Sequence, residues 1–152
     1  MVSLTSRLRS GRRSSQRGAE IVELAIILPL LLLITAGIVD FGLLFRDYQI
    51  VTNAAREGAR VRVLPGYSDD DAKNRATAYL AASGLTSNVD PTVAFTDVTP
   101  GGGGATFRVY TVTVAYDHTI TMLGAMMQLV GGSLAGTLRV TGASTMRHEI
   151  EP

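Results

Sequence analysis

The sequence contains no cysteine. Disulfides, thiolate metal sites and cysteine nucleophiles are therefore excluded, while the compartment is left open. Residues 1–18 contain no acid, although Arg7, Arg9, Arg12, Arg13 and Arg17 lie among them. Of the 14 basic residues in the chain, nine remain to set against 13 acids over the rest, a formal charge near −4. A nucleic-acid binder spreads its basic residues over the folded part. Here they stand on a short tail before an apolar run, the arrangement of a membrane-topology signal, so no nucleic-acid partner is expected. Charge is also missing from Leu24 to Val39, where Thr35 is the only clearly polar side chain. Catalytic groupings are missing too. His118 and His148 are the only histidines and lie thirty residues apart, and there is no nucleophile motif and no nucleotide loop. A metal pair or a triad needs partners at defined positions. The chain is therefore expected to have no catalytic residue, no metal, no cofactor and no small-molecule substrate, and both histidines read as ordinary surface or strand-edge residues.

What is present begins with a span. After Asp40 the apolar character resumes from Phe41 to Phe45. Leu24 to Phe45 would extend roughly 33 Å as a helix, against about 30 Å of hydrocarbon core. A buried core helix would show a polar stripe, and none is visible between Leu24 and Val39. Residues 19–45 are thus expected to form a transmembrane helix, with the arginine-rich 1–18 in the cytoplasm and the body outside. A cleaved secretory signal shares the basic start, the apolar run and the small residues Thr35-Ala36-Gly37. It fits less well, because the apolar run continues to Phe45 and Glu23 stands where such signals are uncharged. Pro29 removes one helical donor and leaves the Ala25 carbonyl unpaired, so a kink is expected there. Asp40 is costly against lipid. It lies at the outer interface, faces a partner, or simply marks the end of the span.

Beyond the span, 46–64 reads as a continuation of the helix. Only Gly58 interrupts it, and Pro65-Gly66 ends it. Ile50, Val51, Ala54 and Ala55 make a modest apolar face, while Asn53, Arg56 and Arg60 share another. The polar face reads as solvated and ion-paired; contact with another subunit, through Asp40, Asn53, Arg56 and Arg60, is the alternative. Residues 65–152 then form a small α+β body. Ser68 can cap a helix whose first turn carries Asp69, Asp70 and Asp71, with Gly84 as its stop. The acids lack the alternating spacing of a calcium loop. Asp69/Lys73 and Asp71/Arg75 are expected as i,i+4 pairs. Thr92 to Val98, Phe107 to Tyr116 and Leu138 to Arg147 alternate as strands, with the glycines of 101–104 as a hairpin connection. Leu123, Met126, Met127 and Val130 have helical spacing, and a Met-rich stripe of this kind is more often core or partner surface than a cofactor box. The fold class is α+β: a long N-terminal transmembrane helix running into a small domain with a second helix and an antiparallel sheet of three to four strands.

Glu23 abuts the apolar run, and its position has a reading. If the chain is cut between Gly18 and Ala19, Glu23 becomes the fifth residue of the mature chain. A glycine, a cut and a glutamate at this distance resemble the pattern of type IV prepilins and pseudopilins. The cut would create an α-amino group at the end of an apolar helix, and Glu23 offers it a carboxylate. The stretch "RGAEIVELAIILPLLLLITAGIVDFG", followed by "TNAAREGAR" and closed by "TGASTMRHE", resembles the TadE-like proteins of the tight-adherence (Tad) pilus system. The resemblance covers about 17–149. It implies a bitopic pseudopilin or minor pilin in the bacterial cytoplasmic (inner) membrane. Such a protein would be processed by a prepilin peptidase at Gly18 and Ala19, and would assist Flp pilus biogenesis, adhesion or secretion. Its partners would be other pilin and pseudopilin subunits and the Tad assembly machinery. An unprocessed single-pass protein whose outer domain binds an envelope partner is the alternative, and an anchored extracytoplasmic enzyme is a weaker one.

Overall fold

A computed structural model describes residues 12–99, 106–134 and 136–148, except the side chains of 12–17 and of Leu129. In chain order it contains α1 (Arg12–Arg62), α2 (Asp69–Ala82), β1 (Val89–Val98), β2 (Phe107–Thr119), α3 (Met122–Leu129) and β3 (Thr137–Arg147). The three strands form one antiparallel sheet in the order β1-β2-β3. The α+β class is therefore as expected: a long apolar N-terminal helix, a second helix and an antiparallel sheet, which among the described residues has three strands. The glycine run 101–104 lies outside the described residues, as do residues 1–11 of the basic tail and Glu149 of the closing motif.

α1 is 51 residues long, roughly 77 Å at 1.5 Å per residue, and contains Pro29 without interruption of the helix. Its two halves differ in what surrounds them. Large apolar side chains of the first half are exposed, among them Ile21, Leu24, Ile26, Leu31 and Ile38. In the second half Val51, Ala54, Ala55 and Ala59 are fully buried. These small residues let the helix lie close to its neighbours. A Cβ on Gly58 would stand 3.0 Å from the Ala72 carbonyl of α2 and 3.1 Å from Val112 of β2. The core is the layer between α1, α2 and one face of the sheet. It contains Val51, Ala54, Ala55, Ala59, Ala76, Leu80, Leu85, Val112 and Val114.

α2 starts and stops by local chemistry. Asp71 donates its N–H to Ser68 Oγ at 3.2 Å, and Ser68 donates its N–H to Asp71 Oδ2 at 2.8 Å, a reciprocal capping box. The Ser68 N–H and the Ser68 hydroxyl, which donates to Asp71 Oδ2 at 2.7 Å, hold the Asp71 carboxyl below its ordinary value. At the other end Gly84 takes φ +88°. Its N–H reaches Ala81 O at 3.1 Å, and that of Leu85 reaches Leu80 O at 2.9 Å. These are the two bonds of a Schellman ending, which glycine permits. The expected i,i+4 pairs do not form. Asp69 pairs with Arg62, Arg75 with Glu57 at 3.0 Å, and Lys73 with Asp70 at 3.5 Å. The reason is tertiary: α2 packs on α1, whose Arg62 and Glu57 stand closer to two of these side chains than their own helix partners do.

In the sheet, Val93 pairs with Val112 and Val114 with Gly142. Tyr110, Val112 and Val114 turn their side chains into the molecule and Val93 packs against them, while Phe95 is left 57% exposed. β3 lies directly against α1. A Cβ on Gly142 would stand 2.7 Å from both Thr52 N and Thr52 Cα, so the crossing distance is set by a missing side chain.

Candidate functional site

The residues singled out in the sequence lie along α1, in three groups. The first is at its start. The helix begins at Arg12 and so runs through Gly18 and Ala19. Gly18, Ala19, Glu20 and Glu23 are all exposed there, beside the exposed Ile21, Val22 and Leu24. Ala19 and Glu23 are four residues apart and so share one helix face, one turn above the other. This end of the helix therefore presents two carboxylates, Glu20 and Glu23, at the edge of an apolar cylinder, and Glu23 is the one in line with Ala19. The cylinder is the one described helix long and apolar enough to cross a membrane, and only 6% of its most apolar window is buried.

The second group lies where the helix meets the body. Asp40 is 6% exposed although it stands in an apolar sequence. Its Oδ1 accepts the N–H of Met122 at 3.1 Å and its Oδ2 accepts that of Leu123 at 2.6 Å. Asp40 thus caps α3 across the chain. The residue in the local cap position, Thr121, makes no side-chain cap bond. First-turn N–H groups of a helix otherwise lack partners, and a carboxylate at this end also meets the positive side of the helix dipole. Two helical turns further on, Asp47 is equally buried, and His118 at the end of β2 donates from Nδ1 to its Oδ2 at 2.7 Å. His118 is thus not the surface or strand-edge residue expected from the sequence. It is 7% exposed, and its Nε2 has no hydrogen-bond partner among the described residues. Asp40, Asp47, Ala36 and Val51 share the side of α1 that faces the body. The clue available in the sequence was an acid spacing of seven, two turns, in phase with that small-residue face.

The third group is on the extension. Arg56 is exposed and donates to Asn53 Oδ1 at 3.3 Å, Arg60 is exposed, and Glu57 holds Arg75 of α2. Nearer the end of α1, Arg62 lies 3.8 Å over the Tyr110 ring, and His148 Nδ1 donates to the Val63 carbonyl at 3.1 Å. Among the described residues no three His, Cys, Asp or Glu side chains lie close enough together to hold a metal ion.

No curated protein and no solved structure matches the chain. A family does: residues 18–60 match the model described as TadE-like protein. The matched stretch is nearly all of α1, from the first exposed glutamate through the buried alanine face. Residues 18–60 are therefore similar to a TadE-like segment, and they lie on the described helix that is long and apolar enough to cross a membrane.

Proposed function

We propose that the protein is a structural assembly component of a Tad-type pilus, a minor pilin or pseudopilin inserted with its N-terminus in the cytoplasm. A prepilin peptidase removes residues 1–18 by cutting between Gly18 and Ala19, and the body lies on the far side of the membrane. The observation that carries this reading is a coincidence of places. The TadE-like match starts at Gly18, where the exposed apolar half of α1 begins and where Glu23 is presented. The arginines of the tail favour the cytoplasmic side.

In this reading Glu23 is the residue that senses a correct neighbour. The cut leaves an amine at Ala19. When apolar helices of several subunits bundle, Glu23 is carried out of water and pairs with the mature N-terminal amine of an adjacent subunit. An exposed pair of this kind contributes less than about 1 kcal/mol. Loss of water strengthens the pair and makes a lone carboxylate costly, so a mis-staggered neighbour is rejected. Glu20 lies three residues nearer the headgroups and plays a lesser part.

Glu23→Gln keeps the side-chain size and removes the charge. In a strain lacking the native copy, it should leave cleavage and insertion intact while lowering surface pili and the yield of crosslinked partner pilins. Glu20→Gln should do much less. Near-normal pili with both variants would remove Glu23 from the assembly mechanism.

A further inference from the structure

The segment between β2 and β3 is the part of the body that the pilin reading does not use. From Thr119 to Leu138 it has no charged residue in twenty positions. Its helix, α3, does not lie with the core layer. Asp40 fixes the first turn through Met122 and Leu123, and at the other end Met126 and Val130 line a space of ≈ 160 Å³ together with Leu28, Pro29 and Leu32. α3 therefore runs antiparallel along α1, back from Asp40 toward Pro29. Eleven residues of α1 separate those two points, roughly 17 Å of helix.

The level of the membrane surface can be read from the other side of α1. Phe41, Leu44, Phe45 and Tyr48 form an apolar groove with Leu138 and Val140, and Phe45 stacks on Tyr48 at 6.5 Å. Tyrosine collects at the interface between bilayer and water, so Tyr48 marks that level. The first charges on α1 after Asp40 stand at that same level: Arg46, which donates to the Ser83 carbonyl at 3.3 Å, and Asp47. Asp40, Leu28, Pro29 and Leu32, which meet α3 on α1, all lie below it.

We infer that α3 and its return segment form a re-entrant hairpin that dips beside α1 into the hydrocarbon core of the bilayer, with lipid acyl chains covering its outer face. The inference rests on α1 being the membrane anchor. Met122, Val130 and Leu134 are 50%, 48% and 39% exposed, and they continue the exposed apolar surface of α1. Backbone at this depth needs partners within the protein. The N–H groups at the start of α3 have Asp40; those of Gly131 and Gly132 reach the carbonyls of Gln128 and Met127, and that of Ile120 reaches Gly136. The hairpin is also closed tightly. A Cβ on Gly124 would stand 2.6 Å from the Leu134 carbonyl, so only glycine lets the return segment pass there.

The absence of cysteine makes single-site labelling direct. Leu31→Cys in α1, Val130→Cys at the end of α3 and Thr96→Cys on exposed β1 each place one fluorophore on the full chain. The chains are reconstituted in phosphatidylcholine vesicles with or without spin-labelled acyl chains. The expected result is quenching at positions 31 and 130 and none at 96. In intact vesicles, Val130→Cys should react with a membrane-impermeant maleimide at least about tenfold more slowly than Thr96→Cys, because an apolar surround suppresses the thiolate. Leu134→Cys on the return segment repeats the reading should the Val130 variant misfold. Quenching at 31 with free labelling and no quenching at 130 overturns the hairpin and leaves the anchor standing. Protection at 130 without quenching means that a second copy, not lipid, covers the face, and this also overturns the inference. No quenching at 31 overturns the anchor and the hairpin together.

Discussion

Gly142→Ala tests the join between the sheet and α1. The added Cβ would stand 2.7 Å from Thr52 N, 2.7 Å from Thr52 Cα and 2.9 Å from Val51 C. Ordinary carbon contacts are about 3.5–4.0 Å, so β3 and α1 must separate by most of an ångström. All three atoms are main chain, and no rotamer change relieves them. Forcing one methyl group into a packed layer costs about 1–3 kcal/mol. For a folded body of this size each kcal/mol lowers Tm by about 4–8 °C. The assay is thermal and urea unfolding of the detergent-solubilised chain followed by circular dichroism. Gly136→Ala is the control, since a Cβ there meets nothing within 4 Å. A Gly142→Ala chain within about 0.5 kcal/mol of the wild type, the range of ordinary surface changes, would refute the close approach of β3 to α1.

Three further outcomes follow from the other contacts. Asp40→Ala removes the cap of α3 and should cost about 0.5–2 kcal/mol, read as faster hydrogen exchange at the Met122 and Leu123 amides while α2 is unchanged. Asp47→Ala leaves His118 buried with neither ring nitrogen partnered and should destabilise by about 1–3 kcal/mol in urea unfolding; a change within error would show that the pair does not hold β2 to α1. Ser68→Ala removes one half of the α2 capping box and should cost about 1 kcal/mol. Because Asp71 is held below its ordinary value of 3.8, its contribution is complete above that value and is lost as pH falls through the lower folded-state one. Melting curves on the acid side should therefore be less steeply pH-dependent in the Ser68→Ala chain.

The elements made by local chemistry were legible in the sequence. Ser68 and Gly84 bound α2 as their residue types require, Pro65-Gly66 follows the end of α1, and alternation located all three strands to within a few residues. Ile50, Val51, Ala54 and Ala55 read as a modest apolar face; the last three are buried in the core and Ile50 packs at its edge. The contacts made between distant segments were not legible. Asp40 looks like a span boundary because its partners are backbone groups 82 and 83 residues away. His118 looks like an edge histidine because Asp47 is 71 residues away on another element. The surface pairs of α2 were misassigned for the same reason: i,i+4 spacing describes an isolated helix, and α1 supplies nearer partners. In the N-terminal group Gly18, Ala19, Glu20 and Glu23 stand exposed beside apolar side chains, and the peptidase decides whether the chain is cut there.

That decision is most directly read from the mass of the chain recovered from membranes, with and without the prepilin peptidase. The account predicts a mature chain that begins at Ala19 when the peptidase is present and retains residues 1–18 when it is absent. A chain that retains residues 1–18 in both cells, or one that begins near Ile38, would contradict it.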